Sequence, residues 1–142
     1  MTAKEFLRQY EYLTKRIIRL EIEYEKEMLM IDAIRSASDN DGMPHGSSIS
    51  KATEDKAIRI TDKAIELFNT KLEAIETRQR IFEVIDQLEG IEADVLYERY
   101  INLKIWEEVC ESVYASWFTV HNAHSRGLEK VQEILNNTSI YI

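Results

Sequence analysis

Side chains suited to chemistry are few in this chain, which holds three histidines and one cysteine. His121 and His124 are three residues apart, so a helix puts them on one face at a spacing that suits metal chelation. No third ligand follows nearby, and the expectation is a pair of surface or partner-facing histidines. His45 sits in a polar stretch, Met43-Pro-His-Gly-Ser47, where it could partner a nucleophile only if residues elsewhere completed the set, and no role is expected of it. Cys110 occupies a small-residue position on an apolar stripe, where a buried, inert thiol is expected. The carboxylates are spread along solvated helix faces, and no phosphate-cradling glycine loop, nucleophile elbow or metal signature appears. The pattern is that of a protein that is not an enzyme and uses no cofactor.

The chemistry that remains is recognition, and the composition limits it. Among 142 residues, 18 Lys and Arg face 26 Asp and Glu, a net charge of −8. The field of the whole molecule therefore repels nucleic acid and anionic membranes, and any contact with either needs a local patch. A single cysteine excludes a disulfide framework and leaves a cytoplasmic protein as the expectation. The first ten residues, MTAKEFLRQY, lack an apolar signal core, and no run approaches the roughly 20 apolar residues of a membrane span.

With four glycines, one proline, 44% hydrophobic and 31% charged residues, the expected fold class is all-α. Phe6, Tyr10, Leu13, Ile17, Leu20, Tyr24, Met28 and Ile31 recur at steps of three and four, a coiled-coil-like seam. No Gly or Pro interrupts residues 2 to 37, a helix of roughly 50 Å. A loop is expected at about 37–52, around Pro44-His45-Gly46. A second helix, capped by Ser50 or Thr53, follows with an apolar face through Ala57, Ile60, Ala64, Phe68, Leu72, Ile75, Phe82, Ile85 and Leu88. Gly90 is expected to end it. Two such helices fold back as an antiparallel hairpin. Their seam outnumbers what a partner helix broken at Arg78 to Arg80 can cover, so a residual apolar strip is expected to make the protein a homo-oligomer.

The character changes after Gly90, and a boundary is placed there, with a hairpin over 1–90 and a second domain over 91–142. Three helical patterns, 91–104, 105–113 and 116–136, have the size and tight connections of a helix-turn-helix unit. Val109, Cys110 and Val120 are small apolar residues that allow a close crossing. Ser116 is placed to cap the last helix.

Arg99-Tyr100 closes one helix, Glu107-Glu108 and Val109-Cys110 open the next, Ser116 starts the third, and Thr119-Val120 and the stretch from Arg126 to Lys130 follow. Over about residues 91–136 this run resembles region four of bacterial sigma factors, and is similar to sigma-like phage regulators of the ArpU and RinA type. The resemblance implies a phage or prophage transcriptional regulator that meets promoter DNA or RNA polymerase. It implies DNA contact through Ser116, Trp117, Thr119, His121, Asn122 and Ser125, with Arg126 and Lys130 at the phosphates. The chain departs from the pattern where a turn glycine is replaced by Tyr114, and where Trp117-Phe118 opens the reading helix. Residues 91–142 also hold four basic against eight acidic residues, a net of −4. The alternative expectation is a phage structural or DNA-packaging adaptor, similar to a small terminase subunit, whose helix-turn-helix binds protein.

Overall fold

The computed structural model describes the backbone of residues 1–39 and 47–138, and the side chains of 1–36 and 51–138. Among these residues the protein is all-α, with five α-helices and no strand. They are α1 (Ala3–Asp39), α2 (Ser47–Ile85), α3 (Gly90–Leu96), α4 (Trp106–Val113) and α5 (Trp117–Asn137). A π-helical turn, Tyr97–Ile101, continues α3. No helix among the described residues is long and apolar enough to cross a membrane.

Both long helices reach further into the expected loop than turn chemistry suggests. α1 runs to Asp39 and α2 begins at Ser47, so Ser50 and Thr53 lie inside α2 and do not cap it. The assignment of a loop to Pro44, His45 and Gly46 lies outside the described residues. At the other end α2 stops at Ile85, five residues before Gly90, in a turn closed by Gln87 N–H to Val84 O and Leu88 N–H to Ile85 O. Gly90 opens α3 with φ of +67°, a backbone conformation that glycine adopts without strain.

Packing divides the chain into two compact units, one made of Met1–Thr14 and Glu73–Ile142, the other of Lys15–Leu72. The division runs through the hairpin and not at residue 90. In the first unit Phe6 and Leu7 of α1 and Ile81, Val84 and Ile85 of α2 share a core with Leu96, Tyr100, Ile101, Val131 and Leu135. The amide of Ala3 also donates to Gln132 Oε1 at 2.8 Å, tying the start of α1 to α5. Apolar residues at the foot of the hairpin thus find their partners in α3 and α5. A smaller cluster of Val95, Val109, Val120 and Ala123 holds α3, α4 and α5 together. Cys110 packs against this cluster but is only half-buried, at its margin and not inside it.

In the second unit the antiparallel course of α1 and α2 is visible in the ion pairs Glu21–Lys71 at 3.0 Å and Glu27–Lys63 at 3.4 Å, and Arg16 also reaches across to Glu66 at 3.1 Å. The α1 seam expected from periodicity is covered at most positions: Ile31 is buried and Ile17, Leu20 and Tyr24 are half-buried. On α2 the expected face holds in part: Ile60, Ala64 and Phe82 are half-buried and Ile85 and Leu88 buried, but Ala57, Phe68, Leu72 and Ile75 are exposed, and Lys63, Leu67 and Thr70 turn inward in their place. Threonine is tolerated there because Thr70 Oγ1 donates to Glu66 O at 2.8 Å, so the buried hydroxyl keeps a partner on its own helix.

α3 and α5 approach most closely at Gly127. A Cβ added there would stand 3.0 Å from Leu96 Cδ1 and 3.2 Å from its Cγ, and Leu96 is fully buried. Gly127→Leu is expected to destabilise the protein by about 3 kcal/mol through overpacking, read as a lower denaturant midpoint with unchanged slope.

Candidate nucleic-acid interface

α4 and α5, the pair expected to form a helix-turn-helix, are joined by a short turn that rests on two residues. Tyr114 takes the left-handed conformation, φ 54° and ψ 45°, at the position where the sequence pattern has a glycine. Its N–H reaches Glu111 O at 3.4 Å, and that of Ala115 reaches Cys110 O at 3.2 Å, closing the end of α4. Ser116 then caps α5: its Oγ accepts from Thr119 N–H at 3.3 Å and lies 3.0 Å from Thr119 Oγ1. The amides of Trp117 and Phe118 have no acceptor within the helix and mark its positive end.

The residues assigned to DNA contact separate into two groups. Thr119, Asn122, Ser125, Arg126 and Lys130 come together on one exposed arc of α5, which also carries Phe118, Glu129 and Glu133. Trp117 and His121 lie at its edge. His121 is half-buried between two indoles, 4.6 Å from the ring centre of Trp106 and 4.1 Å from that of Trp117. Its Nε2 is buried with no hydrogen-bond partner. Trp117 and Phe118 are consecutive and both are exposed, so neither enters the core.

His124 is not a surface histidine. It is buried, and its Nε2 and Tyr100 Oη share a hydrogen bond of 2.7 Å. Burial, followed by the nearby His121, Lys4 and Arg99, lowers its pKa to about 4, so it stays neutral in the folded protein. Tyr100 is pushed up, first by burial, and keeps its proton. Among the described residues no three His, Cys, Asp or Glu gather where they could hold a metal ion.

The largest feature that sequence reasoning missed is Glu92. It is buried on α3 and receives both cations assigned to phosphates: Arg126 Nε donates to Oε1 at 3.1 Å, and Lys130 Nζ to Oε2. These hydrogen bonds, that from Lys130 foremost, hold the Glu92 carboxyl below its ordinary pKa against the opposing effect of burial. The other two basic residues of this region are engaged as well. Arg99 donates to Lys104 O at 2.8 Å and lies 4.9 Å over the Trp106 ring, and Lys104 pairs with Glu98 at 2.6 Å. Arg126 and Lys130 at spacing i,i+4 were visible as one face of a helix, but only packing shows which carboxylate reaches them.

Two consequences are measurable. Tyr114 is 95% exposed, so its left-handed backbone is strain without compensating burial. Tyr114→Gly is expected to raise stability by about 1 kcal/mol in denaturant titration, the difference between roughly 1–2 of relieved strain and about 0.5–1 of glycine entropy. For His124 the unfolded chain binds a proton near the ordinary 6.5, while the folded chain does so only at about 4. Stability from this group is complete above the higher value and drains away as pH falls toward the lower one. A loss of about 1 kcal/mol between roughly pH 7 and 5.5 is expected, and His124→Gln should flatten that slope.

Comparison of the chain with protein-family models, curated proteins and solved structures finds no match.

Proposed function

We propose that the chain is a phage or prophage transcriptional regulator, in which the exposed arc of α5 reads promoter DNA and the hairpin mediates self-association. The class comes from the resemblance of residues 91–136 to sigma region four. The observation that carries the site is the arc itself: Thr119, Asn122, Ser125 and Arg126 side by side and exposed on a Ser116-capped helix, with Arg126 held at one end by Glu92 of α3. Asn122 and Ser125 supply the short polar groups that reach base edges, and the start of α5 favours a phosphate. Arg126 and Lys130 contact phosphates by exchanging Glu92 for a phosphate oxygen. Both side chains remain about half exposed while they are paired, so the exchange needs no unfolding. RNA polymerase is a further partner of such a domain, and no cofactor is required.

A second reading is supported by a different patch. Tyr114, Trp117 and Phe118 are all exposed at the turn and the start of α5, and exposed aromatic residues commonly anchor protein interfaces. On that reading the unit is a phage structural or DNA-packaging adaptor whose helix-turn-helix grips protein.

Binding of promoter fragments at two salt concentrations separates the readings. Arg126→Ala is expected to weaken binding to all sequences and flatten the salt dependence by roughly one unit of slope. Asn122→Ala should mainly erase sequence preference. Glu92→Gln frees both cations and is expected to tighten binding about threefold to tenfold. No DNA affinity at low salt for any of these proteins, with partner capture abolished by Trp117→Ala, would establish the second reading instead.

A further inference from the structure

The unit Lys15–Leu72 buries one face of each helix and leaves a second apolar stripe on each. On α2, Ile58, Ile65, Phe68 and Leu72 follow one another at steps of seven, three and four, with exposures of 44% to 61%. On α1, Ile18, Ile22 and Leu29 do the same at steps of four and seven, with exposures of 46% to 69%. At 3.6 residues per turn each stripe falls on the side of its helix away from the hairpin partner. The ion pairs Glu21–Lys71 and Glu27–Lys63, which agree on one antiparallel register, place the stripes at the same height. The two-helix layer is therefore apolar along both of its opposite edges.

The charges beside the stripes are complementary. The α1 stripe has Lys15, Arg19 and Lys26 along one border and Glu21, Glu25 and Asp32 along the other. The α2 stripe has Asp55, Asp62 and Glu66 along one border and Lys71 along the other. When two hairpins lie side by side in the same orientation, the acidic border of one α2 faces the basic border of the next α1.

We propose that a second copy of this chain docks head to tail on the hairpin, with the Ile18–Ile22–Leu29 stripe of one copy against the Ile58–Ile65–Phe68–Leu72 stripe of the next. This deepens the self-association reading above and rests on it. A two-fold pairing of α2 on α2 covers one stripe and leaves the other in water, whereas head-to-tail packing covers both. Such an interface is heterologous, so a dimer still has an open edge at each end and satisfaction of every edge requires a closed ring of three or more copies.

The test is the solution mass of the full chain and of two variants, one with Ile18→Glu and Ile22→Glu, the other with Ile65→Glu and Phe68→Glu. The wild type is expected at three or more times the 16.7 kDa protomer. Each variant alone is expected to be monomeric, because every contact needs one intact stripe of each kind. Mixed in equal amounts, the two variants have one complementary pair of stripes and should form a 1:1 dimer. A variant that loses helicity by circular dichroism is replaced by its serine counterpart. A wild-type mass that stays monomeric at all concentrations overturns self-association itself. An oligomeric wild type with either variant unchanged in mass, or with no dimer in the mixture, overturns the head-to-tail geometry alone.

Discussion

The contact on which this structure depends is the seating of Leu96 against Gly127. It brings α3 onto α5 so closely that a Cβ at position 127 would stand 3.0 Å from the Leu96 side chain, which would have to give way. From that contact two layers of packing extend. Inward, Leu96 joins Phe6, Ile81, Val84 and Val131 in the main core, which fixes the foot of the hairpin to the helix-turn-helix. Outward, the same approach of α3 brings Glu92 within reach of Arg126 and Lys130. The short helix α3 is therefore both a packing wedge and a source of countercharge, and it borders the exposed arc of α5 at Arg126 and Lys130.

Charge governs how that face operates. All four basic residues of the region beyond Gly90 have acceptors inside the protein. A surface with such internal pairing attracts nucleic acid weakly at long range, so on the proposed DNA-reading function affinity would have to come from short-range exchange of carboxylate for phosphate. Arg126 and Lys130 are half exposed but Glu92 is buried, so the exchange leaves a carboxylate without its cations, a cost that the phosphate contacts must offset. Self-association fits the same logic, since several modest DNA contacts held in one assembly bind far more tightly than one.

Much of the architecture was legible in the residues. Helical periodicity located five helices, the Ser116 cap and the small residues Val109 and Val120 marked the crossing of α4 and α5, and the Tyr114 turn was recognisable by its place. Three features escaped for physical reasons. Part of the inward face of α2 was misread because that helix is apolar on two sides, and Thr70 and Lys63 occupy inward positions that hydropathy assigns to water. His124 reads as a polar residue, yet its hydrogen bond to Tyr100 lets it stay buried and neutral. Glu92 carries no local signal at all, because its partners lie 34 and 38 residues away and depend on how two helices pack. Periodicity describes one helix at a time, whereas these features are properties of pairs.

The central claim is that the exposed arc of α5 is the recognition surface for DNA. Its most direct test is a backbone amide NMR titration of the full chain with a short promoter duplex at low salt. The amides of Thr119, Asn122, Ser125 and Arg126 are expected to shift together, with Glu92 moving as its cations turn to phosphate and the hairpin amides staying in place. No shift on α5 at saturating duplex, or shifts confined to the hairpin, would contradict it.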